Sequence, residues 1–205
     1  MPFPASHAIS MGMLSRRHFL TSFLTPALLA LTPDLLTAQE GAFLSEDEAP
    51  KAVFPEGTHF EKKIISSTEA LREKMKGQLG RTRPSIWEDT YVTFLARRNG
   101  ERLGVAVIVE EIGKHRPMTF IVGIKTNGKV KDVALMVYRE AYGGEVRERR
   151  FMRQYHEKDL DAPLLPYRDI VNIAGATLSV QSIGRGVKKA LALAQLVLLD
   201  GGRRP

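Results

Sequence analysis

The sequence of 205 residues contains no cysteine. Disulfide bonds, iron–sulfur clusters, covalently attached haem and zinc sites made of thiolates are therefore excluded. Its five histidines are scattered without the spacing of metal ligands, so we predict no metal site. A domain of about 140 to 150 residues buries a sufficient hydrophobic core without either kind of cross-link.

The chain also lacks three motifs that identify common enzymes. It has no phosphate loop ending in Gly-Lys-Ser/Thr, no Gly-x-Ser-x-Gly elbow and no His-Glu-x-x-His pair. The glycines of GRGVKK, residues 184–189, lie inside a helical pattern, and the third glycine of a dinucleotide fingerprint is missing. The formal net charge is +7, but no nucleic-acid-binding motif accompanies it, so we expect no nucleic-acid partner.

Residues 1–38 have the features of a twin-arginine export signal. Paired arginines in SRRHFL precede an apolar run, residues 19–31, which Pro26 interrupts. This run is shorter than the ~20 residues needed to span a bilayer. We therefore predict export to the periplasm. The residues before Gln39 form a poor cleavage site, so an uncleaved segment that anchors the protein in the membrane stays open as an alternative.

Beyond the signal, we interpret residues 39–57 as a linker, 58–200 as one domain and 201–205 as a tail. Ser66 and Glu69 suggest a capping box for a helix that ends at Gly77 or Gly80. Two β-rich stretches fold back at turn pairs that are typical of hairpins, Asn99-Gly100 and Asn127-Gly128.

The second half of the domain predicts a charged helix, a strand-like run and a final amphipathic helix. The helix, EVRERRFMRQYHEKDL, would bury Phe151 and Tyr155, and the strand-like run is RDIVNI at 168–173. Helix, strands, helix, strand-like run and helix together indicate an α+β fold, with a largely antiparallel twisted sheet packed against helices.

The stretch NIAGATLSV lies where the strand-like run passes into the last helix. Gly175 permits backbone angles that a Cβ would prevent, and Ser179 can cap the helix or add a hydrogen bond. Unpaired N–H groups at a helix start favour an anion, and here they belong to Ala176, Thr177 and Leu178. Two explanations stay open from these residues alone: a plain hydroxyl cap, which is common, and a phosphate site at Thr177.

G-A-T-L-S after a short apolar strand resembles the attachment motif of the FMN-binding domain family. This family includes the flavin subunits of sodium-translocating NADH:quinone reductase and of the Rnf complex. In its covalent members, a flavin transferase links FMN through its phosphate to the threonine of an Asp-x-x-Ser/Thr-Gly-Ala-Thr motif. The resemblance implies FMN as the cofactor, with Thr177 as the attachment residue and Gly175 and Ala176 beside the phosphate.

A second stretch, YREAYGGEV, resembles the family's Glu-Thr-Pro-Gly-Leu-Gly loop, which lies near the flavin. Glu140, Ala141 and Gly143 match the glutamate, the threonine and the first glycine of that loop. Taken alone, the two glycines predict only a turn. The resemblance extends roughly over residues 90–199 and is closest to the exported stand-alone members. Lys114 and His115 lie in a loop between strands and either face the flavin or form a solvated turn.

The attachment motif departs from the family pattern at two positions. Val171 stands at the acidic position and Ala174 at the Ser/Thr position, while Asp169 lies two residues too early and Asn172 is uncharged. A transferase that recognises the carboxylate would act poorly here. We therefore expect bound FMN first of all, and covalent attachment at Thr177 as a further, more specific expectation.

The resemblance implies an exported flavoprotein of electron transport that exchanges electrons with membrane or periplasmic redox proteins. Since no nicotinamide site and no catalytic side chains are visible, we expect an electron carrier rather than a self-sufficient oxidoreductase. The alternative is an exported structural or adaptor domain of the same fold that has lost the flavin. The departures at Val171 and Ala174 are the best support for that alternative.

Overall fold

The computed structural model describes residues 41–199. The predicted signal segment, the first two residues of the predicted linker and the predicted tail lie outside these residues. Within the described part of the chain, no helix combines the length and the apolar composition that crossing a membrane requires.

Five strands form one antiparallel sheet, and their order in the sheet follows their order in the chain. They are β1 (His59–Ser66), β2 (Thr90–Arg98), β3 (Glu101–Ile112), β4 (Pro117–Lys125) and β5 (Val130–Val137). Both predicted hairpins are confirmed, since β2–β3 turns at Asn99-Gly100 and β4–β5 at Asn127-Gly128. The predicted α+β fold with an antiparallel sheet is thus observed.

Strand β1 was not predicted from the sequence. This strand pairs only with β2, at the edge of the sheet, and most of its side chains are exposed. An edge strand with little buried surface needs no alternation of apolar and polar residues, so HFEKKIIS carries no clear strand pattern.

Helices cover both faces of the sheet. α1 (Ala49–Val53) lies in the predicted linker segment, and with Phe54 it packs on one face in a cluster that includes Phe94 and Ile121. α2 (Glu69–Leu79) and α4 (Thr177–Leu193) contribute to the larger core on the other face. Residues 49–54 therefore form part of the folded unit.

The start of α2 differs from the prediction by two residues. Thr68 is the N-cap, and its Oγ1 accepts a hydrogen bond of 3.3 Å from the Leu71 N–H, whereas Ser66 ends β1. Gly80 follows the last helical residue with a φ of 58°, as one of the two predicted ends requires.

The predicted charged helix is broken. It consists of a 3-10 turn (Gly144–Arg147), the short α3 (Arg149–Met152) and a second 3-10 turn (Arg153–Tyr155). Phe151 and Tyr155 are buried as predicted, and their rings meet edge to face with centroids 6.1 Å apart.

The strand predicted at 168–173 is absent from the described residues, where this stretch is a loop with one isolated bridge between Pro166 and Ile170. Ile170 is buried and Ile173 packs against the core, so the loop inserts two apolar side chains without strand pairing. The apolar residues that suggested a strand are thus explained by the burial of Ile170 and the packing of Ile173 against the core.

The glycines of GRGVKK bring α4 close to its neighbours. A Cβ at Gly186 would lie 2.3 Å from Phe120 Cζ on β4, and one at Gly184 would lie 2.1 Å from the Leu164 carbonyl oxygen. These glycines therefore serve helix packing, in agreement with the rejection of a dinucleotide fingerprint.

A buried ionic network fixes α4 to the end of β3. Lys189 is fully buried, and its Nζ lies 2.9 Å from both carboxylate oxygens of Glu88 and 3.3 Å from Oε1 of the equally buried Glu111. Glu111 Oε2 also accepts from the Ser85 N–H at 2.9 Å and lies 3.4 Å from Arg185 Nε. Loss of the lysine would leave the Glu88 carboxylate without its charge partner and Glu111 with Arg185 alone.

We predict that Lys189→Met lowers the free energy of unfolding by about 3–5 kcal/mol, because it removes one partner of a buried ion pair. Urea denaturation measures the change. Lys74→Met replaces an exposed lysine of α2 and should change stability by less than about 0.5 kcal/mol. A Lys189→Met protein as stable as the Lys74→Met control would contradict the prediction.

Candidate functional site

A cavity of about 600 Å³ opens between the start of α4, the loop after β5 and the β3–β4 turn. Its lining includes every candidate site residue of the two motifs: Glu140, Ala141, Gly143, Gly175, Ala176, Thr177, Leu178 and Ser179. Lys114, His115 and Tyr142 complete most of the remaining wall. Two segments that are more than thirty residues apart in the sequence thus meet at one cavity.

The two motifs touch directly at Gly143 and Ala176. Gly143 has a φ of 77°, and a Cβ placed on it would lie 2.5 Å from the Ala176 Cβ. Ala176 is buried. Because there is no space for a side chain at 143, the loop after β5 lies against the N-terminus of α4.

Thr177 is the first residue of α4, and Ala176, the N-cap, has no side chain that could cap the helix. The first backbone hydrogen bond runs from the Val180 N–H to the Ala176 carbonyl, at 2.9 Å. The N–H groups of Thr177, Leu178 and Ser179 precede that bond. The expectation of an unpaired N–H at Ala176 was wrong, because this group donates to the Ile173 carbonyl at 3.0 Å. Free N–H groups and the positive end of the helix dipole make this end suitable for an anion.

Gly175 lines the cavity with a φ of 78°. A Cβ built on this residue would meet no heavy atom within 4 Å. The space beside the backbone is therefore open, and a ligand can approach it closely.

The Thr177 hydroxyl is half-buried and accepts a hydrogen bond of 2.8 Å from Asn172 Nδ2. The same amide nitrogen donates to the Tyr167 hydroxyl at 2.7 Å. Val171, which stands at the acidic position of the motif, is 74% exposed. Asn172 was not predicted as a site residue, although it stands next to the acidic position of the motif.

Residues 113–192 match the model of the FMN-binding domain family. This segment is consistent with an FMN-binding domain. No curated protein matches the sequence. The matched segment begins at the β3–β4 turn, ends within α4 and includes all the cavity-lining residues named above.

FMN is the cofactor that this domain indicates, and the residues present fit it. The open space at Gly175 and the free N–H groups suit a phosphate, and the Thr177 hydroxyl adds a hydrogen-bonding group. Tyr142 and Leu178, which are 80% and 48% exposed, offer apolar surface to an aromatic ring in the same cavity.

Ser179 does not cap α4. It is buried in the first turn of α4, and its Oγ lies 3.3 Å from the Tyr138 hydroxyl. That hydroxyl also donates to the Tyr142 carbonyl at 2.6 Å. Burial raises the pKa of Tyr138, against the opposing effect of the Ser179 hydrogen bond, so the phenol keeps its proton. Ser179 and Tyr138 therefore hold the loop after β5 against the helix.

Glu140 holds the β3–β4 turn at the edge of the cavity. Its Oε1 accepts from the backbone N–H groups of His115 and Arg116, at 2.6 and 2.9 Å. Burial acts to raise the pKa of this carboxyl, but the backbone N–H groups of the turn hold it below its ordinary value. Lys114 and His115 are exposed in this turn and also line the cavity.

Asp169, the acid that lies too early for the motif, stabilises the loop that carries Tyr167 and Asn172. Its carboxylate accepts from the N–H groups of Leu164 and Leu165, at 3.2 and 2.9 Å, and pairs with Lys158 Nζ at 2.9 Å. Burial acts to raise the pKa of Asp169, but these hydrogen bonds and the lysine keep it below its ordinary value.

A pH dependence follows for this loop. The ionised Asp169 stabilises the folded state above the pKa of the unfolded chain, and the contribution is lost as the pH falls through the lower folded-state pKa. We expect Asp169→Asn to lower the free energy of unfolding by about 1–3 kcal/mol at pH 7. The difference from the wild type should shrink below about pH 4.

Urea titrations at several pH values measure this dependence. Asp161→Asn, at an exposed residue of the same loop, is the control and should differ little from the wild type at each pH. A deficit of Asp169→Asn that is unchanged at low pH would contradict the assignment.

Alanine variants of Gly175 and Gly128 distinguish the effect of backbone strain on stability from the effect of a methyl group on FMN binding. Gly175 and Gly128 have φ angles of 78° and 81°, and a Cβ on either meets no protein atom within 4 Å. Substitution by alanine should therefore destabilise both by a similar amount, about 1–2 kcal/mol. Only Gly175→Ala places a methyl group in the cavity, so we expect it alone to weaken FMN binding, by about tenfold or more.

Fluorescence titration with FMN and urea denaturation test the two parts of this prediction. Equal FMN affinity of the two variants would show that the open space at Gly175 does not belong to the flavin site.

Proposed function

We propose that this protein is an exported electron carrier that binds FMN in the described cavity, with the phosphate at the start of α4. Bound FMN supplies the redox chemistry, since its isoalloxazine ring accepts and returns electrons. The observation that carries the proposal is the position of Thr177: its hydroxyl lies at an uncapped helix start, beside the open space at Gly175.

The chain's own residues have three tasks in this proposal. The N–H groups of Thr177, Leu178 and Ser179 bind the phosphate, and the positive end of the helix dipole adds to their attraction. Lys114 at the cavity edge provides a cation near the same anion. The loop containing Tyr142 shields one side of the cavity from water.

We further propose that the phosphate is attached to Thr177 as an ester. A second ester on a phosphate requires an activated donor, such as a flavin dinucleotide presented by a flavin transferase. Thr177 Oγ1 then forms the new O–P bond, the phosphoanhydride bond breaks with release of a nucleoside monophosphate, and the hydroxyl proton passes to solvent. Covalent attachment suits a carrier outside the cytoplasm, where lost FMN is not readily replaced.

The paired arginines and apolar run of residues 1–38 support export to the periplasm by the twin-arginine route, which carries folded proteins with their cofactors. If the segment is not cleaved, it holds the carrier at the membrane. Membrane or periplasmic redox proteins are the proposed donors and acceptors. The absence of a nicotinamide motif from the sequence supports a carrier over a self-sufficient oxidoreductase.

The second candidate is an adaptor domain that has lost its flavin. Val171 and Ala174 favour it, since both depart from the attachment motif. The open cavity favours the flavin carrier, because a domain without a ligand has no need to keep space beside Gly175 or to leave a helix start uncapped.

Mass spectrometry of the exported protein tests the attachment. We expect the peptide containing Thr177 to carry the mass of FMN less one water, and the yellow colour to remain with the denatured protein. Thr177→Val has nearly the same shape without the hydroxyl and should carry no attached flavin, whereas Thr177→Ser should keep some.

The outcomes separate the hypotheses. Colourless wild-type protein would contradict the flavin carrier and favour the adaptor. Yellow protein that releases all its flavin on denaturation would contradict only the ester. A flavin attached equally in Thr177→Val would place the attachment at another residue, and Thr126→Ala, an exposed threonine away from the cavity, is the control for unspecific effects.

A further inference from the structure

We propose that Asn172 is the positioning residue of the site: it fixes the Thr177 hydroxyl so that its O–H group faces the flavin phosphate. This inference rests on the proposed phosphate site at Thr177. The contact that carries it is the 2.8 Å hydrogen bond from Asn172 Nδ2 to Thr177 Oγ1.

The direction of this hydrogen bond matters. Asn172 donates, so the amide occupies an acceptor site of the Thr177 oxygen and leaves the O–H hydrogen free to point elsewhere. An N–H donated to the hydroxyl also stabilises negative charge on the oxygen as its proton leaves. The same contact therefore serves phosphate binding and ester formation.

Asn172 is itself held from several sides. Its Nδ2 also donates to the Tyr167 hydroxyl at 2.7 Å, and the N–H of the preceding Val171 donates to Gln154 Oε1 at 2.6 Å. Asp169 in turn holds the loop to Lys158. The amide therefore approaches Thr177 from a supported loop.

The Asn172 amide is held in this way although its oxygen accepts no hydrogen bond from the described residues. Asn172 Oδ1 is buried and has no hydrogen-bond partner among residues 41–199. A buried oxygen without a partner costs about 1–3 kcal/mol. Such a cost is unusual in a residue that serves stability alone and is more common at functional positions.

The departure at Val171 does not affect the contact between Asn172 and Thr177. The side chain at 171 is 74% exposed, so it lies away from the core side of the loop where Asn172 meets Thr177. A carboxylate beside the hydroxyl would accept its hydrogen and repel a phosphate. A neutral donor does neither, and so it can orient the threonine without opposing the anion.

A double-mutant cycle with free FMN tests the inference on protein made without a flavin transferase. Fluorescence quenching gives the Kd of the wild type, Thr177→Val, Asn172→Ala and the double variant. We expect Thr177→Val to weaken binding about tenfold, because it loses a hydrogen bond to the charged phosphate. We expect Asn172→Ala to weaken binding several-fold, because the Thr177 hydroxyl then loses the contact that orients it. In the Thr177→Val background, Asn172→Ala should change Kd by less than about twofold, since it acts through the hydroxyl.

Gln154→Ala is the matched control. It removes a contact to the same loop, at Val171, but does not touch Thr177, and it should change Kd by less than about twofold. In an attachment assay with a flavin transferase, Asn172→Ala should lower the maximal rate and leave the half-saturating protein concentration nearly unchanged. A residue that only supports the fold would change neither selectively.

The failures are distinguishable. Equal Kd values for wild type and Thr177→Val would overturn the contact between the Thr177 hydroxyl and the phosphate, and the inference with it, whereas the backbone phosphate site is tested separately by Gly175→Ala. If Thr177→Val binds weakly but Asn172→Ala binds as the wild type does, the positioning role alone is overturned. The same holds if Asn172→Ala and Gln154→Ala weaken binding equally, or if Asn172→Ala is as harmful without the Thr177 hydroxyl as with it.

Discussion

The site depends on the contact between the loop after β5 and the first turn of α4. Gly143 lies against Ala176, and the Tyr138 hydroxyl reaches Ser179 at 3.3 Å. This contact has no room for a further methyl group. The loop and the first turn of the helix are therefore fixed relative to each other, and so is the position of the free N–H groups in the cavity. An anion site made of backbone groups has no side-chain flexibility to correct an error in that position.

Local chemistry was sufficient to predict the hairpins, whereas the two site motifs were recognised only through the resemblance to the FMN-binding domain family. Asn-Gly pairs determine tight turns by backbone preference, and the glycine positions of both motifs reflect requirements of single residues. The N-cap at Thr68 was missed because several adjacent hydroxyl residues can serve as a cap. Strand β1 was missed because an exposed edge strand needs no alternation of apolar and polar residues.

The loop at 158–173 shows why the rest of the site was missed. Its apolar residues suggested a strand, yet Asp169 satisfies the backbone N–H groups of Leu164 and Leu165, which removes their need for strand pairing. Asn172 gains its contact with Thr177 only from that loop conformation. A residue whose role depends on a long-range loop geometry leaves no periodic signal in the sequence.

Two acids, Glu140 and Glu145, line the cavity, and they differ in how far their charge is compensated: Glu145 is exposed to solvent. The Glu140 carboxylate accepts two backbone N–H groups of the β3–β4 turn, so its negative charge is partly compensated there, and the same turn presents Lys114 at the cavity. The buried network of Lys189 and Glu111 holds the end of β3 from which this turn departs. Rigidity at that end therefore supports the turn that carries Lys114 and is held by Glu140, and the side chain that contacts the threonine hydroxyl is the neutral amide of Asn172.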